Sequence, residues 1–271
     1  RTSSSAASDV YKRQELWDIV NISEKYQKHC MMLENVNYGR DELMFLNMCR
    51  QGVIGELLHG EAAYIHDLRW QMDHDETRMG SWRTDFYREN NGNIYPTHGL
   101  GPVAQYMNLC RTEDNFHKIV SYSSPALGRN QYSKENLSES NSWKNISFKN
   151  GDINSSIIKT KLGRTILVQW DETSPRPYTR LNLIQGTRGT LAGFPTRVAL
   201  ENGFEDITKD HHTWIENENL IRLYEKYDHP LYKELNEKTV KSGHGGMDGI
   251  MMYRIVAVSY THLTLPTMMS V

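Results

Sequence analysis

The sequence predicts a mixed α/β (α+β) fold, in which the end of one α/β domain is followed by a domain with a large open mixed or antiparallel sheet and flanking helices. Three observations favour this fold. Residues 15–52 are expected to form helix, strand and helix in quick succession, as in an α/β unit. From Gly55 onward the chain contains five β-rich runs. Two of these runs meet at Leu162-Gly163-Arg164, which predicts a hairpin and therefore antiparallel strands.

The α/β segment is predicted from apolar spacing. Within residues 15–30 the apolar side chains recur close to one helical stripe, with charged residues opposite: Leu16, Ile19, Val20 and Ile22. The short apolar run at 31–35 is expected to be a buried strand. Residues 38–52 have the composition of a helix, which we expect to end at Gly52.

The sheet domain is predicted from β-rich runs separated by loops and helices. These runs are residues 56–69, 117–124, 155–162, 164–172 and 179–186. Helices are predicted at residues 98–110, 213–238 and 246–256, and a Ser/Asn-rich loop at about 129–154.

The two ends of the chain differ in texture from its middle. Residues 1–14 and 257–271 resemble translated sequencing-adapter read-through and are expected not to belong to the fold. The native part is therefore expected to run from 15 to 256 and to be cut at both ends.

Composition and motifs exclude several classes of function. The 271 residues carry 31 Lys+Arg against 33 Asp+Glu, and this net charge of −2 without a basic stripe argues against nucleic acid as a partner. No run approaches the roughly 18 apolar residues that span a bilayer. The sequence has no zinc-binding, P-loop or serine-nucleophile motif, so no metal site is predicted. His211 and His212 are adjacent, so on a regular element they are expected to diverge and to make a poor chelate.

Residues 95–102 are the first candidate for chemistry. A loop that ends in Thr97 and His98 before a helix places both side chains at a helix N-terminus, where backbone N–H groups hold oxygen-rich ligands. His98 titrates near neutrality and Tyr95 offers a phenol, so the pair could move protons. In the structural alternative, Thr97 caps the helix and His98 is a satisfied structural histidine.

Three further positions have both a functional and a structural interpretation. On a strand, Tyr64 and His66 face the same side and could look together into a cleft, or the strand simply has one wetter face. Arg83 beside Trp82 suits sugar or carboxylate recognition, and equally a surface ion pair. Two prolines fix the loop that carries Tyr178, which suits a binding site or a loop that is merely rigid.

Six segments of the chain together resemble glycoside hydrolase family 109. They are residues 33–43, 61–70, 82–84, 91–106, 174–189 and 242–248. Members of that family are NAD-dependent α-N-acetylgalactosaminidases built like the glucose–fructose oxidoreductase group of dehydrogenases. The resemblance implies that residues 15–55 are the end of a Rossmann domain that is mostly missing. It implies that residues 56–256 are the substrate domain, incomplete at its C-terminus, and it suggests a bacterial periplasmic or secreted protein.

The resemblance also implies the residues of the site. The sugar would contact Tyr64, Arg83, Tyr95, Pro96, Thr97, His98 and Tyr178. The NAD would contact Glu34, Asn35 and Tyr95. His98 is expected to accept the proton from O3, and Tyr64 or Tyr95 to act at C2 of the sugar. A phenolate in that role would need a neighbour such as Arg83 to stabilise its charge.

The implied reaction releases a terminal α-linked N-acetylgalactosamine from a glycan. Oxidation at C3 acidifies the C2 proton, the C1 aglycone leaves by elimination, water adds, and the retained hydride returns. Two other functions remain open: an NAD(P)-dependent sugar oxidoreductase of the same superfamily, and a non-catalytic carbohydrate-binding protein. We also expect a homo-oligomer formed through the open sheet, and an inactive segment when the first domain is absent.

Overall fold

The computed structural model describes residues 13–28, 30–73 and 81–268. The helices are α1 (Arg13–Tyr26), α2 (Arg40–Arg50), α3 (Ser81–Glu89), α4 (Thr97–Tyr106), α5 (Gly128–Asn136), α6 (Leu220–Tyr227), α7 (Pro230–Thr239) and α8 (Met247–Met268). The strands are β1 (Leu57–Ile65), β2 (Phe116–Ser123), β3 (Ile153–Thr160), β4 (Thr165–Asp171), β5 (Leu183–Gly186), β6 (Gly189–Ala192), β7 (Arg197–Leu200) and β8 (Ile215–Glu216). Residues 1–12 and 269–271 of the two predicted tails lie outside the described residues.

The strands form an open sheet in the order β2-β3-β4-β1-β5-β6-β7-β8, which confirms the predicted mixed α/β class. The ladders β2/β3 and β3/β4 are antiparallel, and so are those that join β5 through β8. The predicted hairpin lies between β3 and β4, where Gly163 takes a φ of 92°. A positive φ is open to glycine without steric cost, so Gly163 allows the chain to reverse direction in the short turn between the two strands.

The first of two compact units comprises residues 1–33, 61–100 and 116–180. Its buried cluster is Tyr64, Leu68, Met72, Tyr87, Ile94, Leu137, Phe148 and Trp170. The rings of Tyr87 and Trp170 lie 5.7 Å apart between centroids, within the range of favourable aromatic pairs. Tyr64 belongs to this cluster and Tyr95 packs against it, so two of the residues predicted to contact the sugar are anchored on this core.

The second unit comprises residues 34–60, 101–115 and 181–271. Helix α2 buries an apolar face that includes Leu43, Met44, Phe45, Leu46 and Met48. Arg40 joins α2 to α6, since its guanidinium lies 3.8 Å from the ring centroid of Tyr224 and pairs with Asp228 at 2.7 Å. No helix among the described residues has the length and hydropathy needed to cross a membrane.

Helix α1 is confirmed, but its predicted neighbour is not a strand. Met31, Met32 and Leu33 are exposed and carry no regular structure, and residues 35–38 form a short 3-10 turn. The Glu34 carboxylate accepts a hydrogen bond from Val36 N–H and caps that turn. An apolar run becomes a strand only when a neighbouring strand pairs with it, and among the described residues none does here.

The predicted loop at 129–154 was wrong in its first part, where the structure has helix α5. The carboxylate of Asp152 accepts hydrogen bonds from Leu127 N–H and Gly128 N–H at 2.8 and 2.7 Å. An N-terminal cap usually comes from the residue just before the helix. Here it comes from more than twenty residues downstream, so local sequence carries no sign of it.

Three other element boundaries also differ from prediction. The strand predicted at 56–69 ends at Ile65. The β-rich run at 179–186 forms a strand only from Leu183, because the backbone of Leu181 and Asn182 takes φ values of 57° and 52°. The helix predicted at 213–238 is instead β8, α6 and α7, with Pro230 beginning the last of these. Proline is well suited to the first turn of a helix, where its missing N–H costs nothing.

Candidate functional site

An aromatic cluster is centred on Tyr64, near the end of β1. The centroid of its ring lies 4.7 Å from that of Tyr95, 5.3 Å from His98 and 6.4 Å from Tyr178. The hydroxyl of Tyr64 is 3.2 Å from Nδ1 of His66. Five positions singled out in the sequence thus lie together, and each of the five rings carries a group that can donate or accept a proton.

The close approach of α4 to β1 explains how His98 reaches Tyr64. A Cβ atom added to Gly99 would lie 2.3 Å from the backbone nitrogen of Ala63 and 2.5 Å from its oxygen. Only glycine allows the helix to contact the strand at that distance. Pro96 and Thr97 form the entry to the helix, as predicted from the loop before it.

Replacing Gly99 by alanine is expected to lower the free energy of unfolding by about 1–3 kcal/mol, because the added methyl overpacks the contact with β1. Helix propensity alone predicts the opposite sign, a gain of about 1 kcal/mol. Urea unfolding followed by circular dichroism decides between them. Gln105→Ala, on the same helix, is the control and should change stability by no more than about 0.5 kcal/mol. A stabilised Gly99→Ala protein would show that α4 is not held this closely.

Arg83 lies against the cluster and belongs to a buried ionic network. Its guanidinium is 5.1 Å from the ring centroid of Tyr95, and its Nε is 3.4 Å from a carboxylate oxygen of Glu172. The Tyr87 hydroxyl donates to the other oxygen of Glu172, and the guanidinium of Arg129 stacks 3.7 Å from the Tyr87 ring centroid. Both Glu172 and Arg129 are buried, so these charges depend on each other.

The network controls the ionisation of the groups around it. Burial lowers the pKa of Arg83, but the Glu172 carboxylate raises it, and the net result lies above the usual range. This guanidinium therefore stays charged. Burial, and then the charge of Glu172, raise the pKa of Tyr64 far above 10, while Arg83 opposes them. Burial and Glu172 also raise the pKa of Tyr87. Tyr64 is therefore a neutral phenol at physiological pH.

Tyr178 reaches the cluster from the proline-rich loop after β4. Thr179 exchanges backbone hydrogen bonds of 3.1 Å with Ile65, which pins the loop beside β1. The Tyr178 hydroxyl accepts a hydrogen bond of 3.0 Å from Arg180, and the ring remains 39% exposed. An exposed, oriented phenol beside buried polar groups is the kind of surface that binds a small polar ligand.

Glu34 and Asn35, predicted to contact NAD, lie in the second unit. The amide of Asn35 donates to Asp248 at 2.8 Å, and His244 Nδ1 lies 2.8 Å from the other carboxylate oxygen. Burial raises the pKa of Asp248, but hydrogen bonds from His244 and Asn35 lower it, and the net result lies below its ordinary range. Two side chains of the motif at 242–248, those of His244 and Asp248, therefore form a hydrogen-bonded group with Asn35, which is predicted to contact NAD.

The same segment fits the polar groups of a dinucleotide. The buried Oδ1 of Asn37 has no hydrogen-bond partner among the described residues. A Cβ added to Gly101 would lie 3.0 Å from that oxygen and 3.0 Å from Cγ of Glu34, so the absence of a side chain lets the backbone approach both groups closely. A buried acceptor without a partner beside a glycine suits a hydroxyl or carboxamide donor, both of which a nicotinamide nucleotide offers.

The expectation that His211 and His212 diverge was wrong. Their ring centroids lie 4.1 Å apart, and with Asp210 they bring three ligand atoms within 4.8 Å of one another. The residues sit in a turn and not on a regular element, so adjacent side chains can point the same way. All three side chains are exposed.

Sequence reasoning missed three residues of the buried network. Glu172 was visible only as the acidic end of an apolar strand, a signal that could have marked it as a buried charge at the carboxyl edge of a sheet. Tyr87 and Arg129 carry no local signal at all, since their partners are distant in sequence.

Comparison with known proteins identifies the family. The model of the glycosyl hydrolase 109 C-terminal domain matches residues 38–269. This chain belongs to glycosyl hydrolase family 109. Glycosyl hydrolase family 109 protein 1 of Akkermansia muciniphila is 62% identical over 247 residues, which are 89% of this chain and 50% of that protein. A family 109 protein of Shewanella sp. (strain W3-18-1) is 55% identical over 244 residues, 90% of this chain and 52% of that protein.

This family 109 chain spans about half the length of the curated relatives it matches. A solved structure described as an NAD binding oxidoreductase from Klebsiella pneumoniae superposes with a TM-score of 0.52 at 13% identity. The superposition covers 72% of this chain and 49% of that chain. The likeness shows that the fold is shared with a protein of that description.

Proposed function

We propose that the protein hydrolyses terminal α-linked N-acetylgalactosamine with a nicotinamide dinucleotide as transient oxidant. Membership of glycosyl hydrolase family 109 supports this proposal. The observation that carries it is the placement of Tyr95 and His98 beside Tyr64, at 4.7 and 5.3 Å between ring centroids, and 5.0 Å from each other. Such a reaction moves two different protons from neighbouring sugar positions, and it needs more than one acid–base group at one place.

Each residue of the cluster has a proposed role. His98 accepts the proton of the sugar O3, and Tyr64 or Tyr95 acts on the C2 proton. Arg83, with Pro96, Thr97 and Tyr178, positions the sugar. When bound, the dinucleotide supplies the chemistry of taking the C3 hydride and returning it, so no net oxidation occurs.

Three residues are proposed to hold the dinucleotide. Glu34 and Asn35 offer a carboxylate and an amide, and Tyr95 is proposed to lie near the nicotinamide. The buried Oδ1 of Asn37, which has no hydrogen-bond partner among the described residues, supports a polar nucleotide contact in the segment of Glu34 and Asn35.

The test uses a completed protein, in which this chain is joined to the part of the Akkermansia muciniphila relative that it does not cover. We expect release of the chromophore from a chromogenic α-N-acetylgalactosaminide only with bound dinucleotide, and without net accumulation of its reduced form. In heavy water, the C2 position of the released sugar should carry deuterium. Equal activity after removal of the dinucleotide, or a C2 hydrogen that does not exchange, would contradict the proposal.

The shared fold with a protein described as an NAD binding oxidoreductase favours a second candidate, a sugar oxidoreductase. The same assay separates the two functions. The oxidoreductase would accumulate reduced dinucleotide in step with an oxidised sugar and leave the glycosidic bond intact. A carbohydrate-binding protein would bind the glycan and do neither.

The proposed homo-oligomer has support in the edge of the sheet. On β2 and its neighbour β3, three apolar side chains that share one face of the sheet are 48–77% exposed: Val120, Tyr122 and Ile157. Exposed apolar side chains that lie together on an edge strand are typical of a surface that a second copy covers.

A further inference from the structure

The step at C2 needs a group that can accept a proton, and Tyr64 alone does not provide one. The side chain is 7% exposed, and burial together with the charge of Glu172 raises its pKa. Arg83 was expected to stabilise a phenolate. Its guanidinium is instead paired with Glu172 at 3.4 Å, so much of its positive charge is already balanced. Tyr64 can therefore take a proton only if it gives up its own at the same time.

His66 is placed to receive that proton. Its Nδ1 lies 3.2 Å from the Tyr64 hydroxyl, and its ring makes an edge contact with Tyr178 at 5.1 Å between centroids. The backbone of His66 is fixed by a hydrogen bond of 2.9 Å from its N–H to Asp171. The residue comes directly after β1, so the strand and the loop of Tyr178 hold the imidazole from both sides.

The charge state of His66 suits an acceptor. Burial lowers its pKa below 6.5, so the ring is neutral at pH 7. The other charged or titratable groups that act on it are Glu172, Arg83, Asp67 and His98, of which the carboxylates raise the pKa and the cations lower it. A neutral imidazole has one nitrogen free to accept. Because the Tyr64 phenol keeps its proton, the phenol is the donor and Nδ1 the acceptor.

We propose that His66 is the terminal base of the C2 step and that Tyr64 relays the proton to it, an inference that rests on the proposed function. The C2–H bond of the 3-keto sugar breaks and its proton forms a new O–H bond on Tyr64. The former phenol proton moves to Nδ1 of His66, which becomes an imidazolium. The electron pair left on the sugar then forms the C1–C2 double bond as the C1–O bond breaks, and the aglycone oxygen leaves with its electrons. The sugar oxidised beforehand at C3 supplies the acidity, and the relay needs no other reagent.

The test measures the two chemical steps separately in the completed protein. Transient reduction of the dinucleotide reports C3 oxidation, and exchange of the C2 hydrogen in deuterium oxide reports the relay. In His66→Gln we expect C2 exchange to fall by about 10²–10³-fold, because glutamine offers an oxygen but no base, while transient reduction stays within about threefold. The primary isotope effect on turnover with C2-deuterated substrate should rise, because C2 cleavage becomes limiting.

Three further comparisons sharpen the result. Tyr64→Phe should have a similar effect on C2 exchange, and the double variant should be no slower than the slower single one, since the two residues act as one unit. His117→Gln, a histidine exposed on β2, is the matched control and should leave both steps unchanged. In the unaltered protein, C2 exchange should decline as the pH falls through the lowered pKa of His66, at a more acidic pH than an ordinary histidine would give, because the protonated ring cannot accept a proton. In His66→Gln the slow exchange should not follow this decline.

Each outcome supports or overturns the relay. It is overturned if His66→Gln slows both steps equally, if its effect adds to that of Tyr64→Phe, or if C2 exchange is unchanged. If a His66→Gln protein fails to fold, as judged by circular dichroism, His66→Asn carries the same expectations. Failure of the proposed function would look different, because the unaltered protein would then release no aglycone and show no C2 exchange.

Discussion

Replacing Glu172 by glutamine is expected to lower the free energy of unfolding by about 3–5 kcal/mol, since removing one partner leaves a buried charge uncompensated. The Glu172 side chain has no exposed surface, and that of Arg83 is only 10% exposed. Arg129 is 1% exposed and also depends on this carboxylate. Glutamine keeps the shape and a hydrogen bond for Tyr87, so the loss measures charge and not packing. Urea unfolding at neutral pH gives the value.

The matched control for Glu172→Gln is Glu89→Gln. Glu89 pairs with Lys149 at 3.2 Å, and the two side chains are 55% and 65% exposed. Exposed pairs contribute about 0–1 kcal/mol, so the control should lose no more than that. Equal losses of unfolding free energy in the two variants would show that groups other than Glu172 balance the charges of Arg83 and Arg129. The Glu172 variant should also show weaker sugar binding, because Arg83 is held against Tyr95 by the same carboxylate.

Replacing His98 by alanine should reduce glycoside turnover by about 10²–10⁴-fold in the completed protein, the usual range for loss of a general base. In our assignment His98 acts at O3. The missing step is therefore C3 oxidation, and transient reduction of the dinucleotide should slow by the same factor. In His66→Gln, by contrast, C3 oxidation and the transient reduction of the dinucleotide are expected to continue. Rapid-mixing absorbance of the dinucleotide makes the comparison.

The controls for His98→Ala test structure and binding. His117→Ala, on the exposed face of β2, should turn over normally. The His98 variant should keep its thermal midpoint within a few degrees and still bind the sugar through the rest of the cluster, as measured by calorimetry. A variant that binds and turns over within about tenfold of the unaltered protein would remove His98 from the chemistry. It would then favour the structural interpretation of this histidine.

The sequence pattern predicted correctly those elements that depend on interactions between residues close together in the chain. The apolar stripe of α1, the glycine at the β3–β4 hairpin and the loop that opens helix α4 are each encoded within a few residues. The segment at 31–35 and helix α5 were mispredicted because their state depends on distant partners: a strand needs a neighbour to pair with, and the cap of α5 is Asp152. For the same reason the sequence left open whether Tyr64 and His98 meet.

The sequence by itself determined the fold class, the family resemblance and the identity of the aromatic and basic residues of the candidate site. The tertiary structure decided how those residues are charged. Glu172 follows directly after β4, Arg83 and Tyr87 come from α3, and Arg129 comes from α5. Burial together with the charge of Glu172 keeps Tyr64 a neutral phenol beside His66. Ionisation depends on desolvation and on charges within a few ångströms, and neither quantity is defined until the chain has folded.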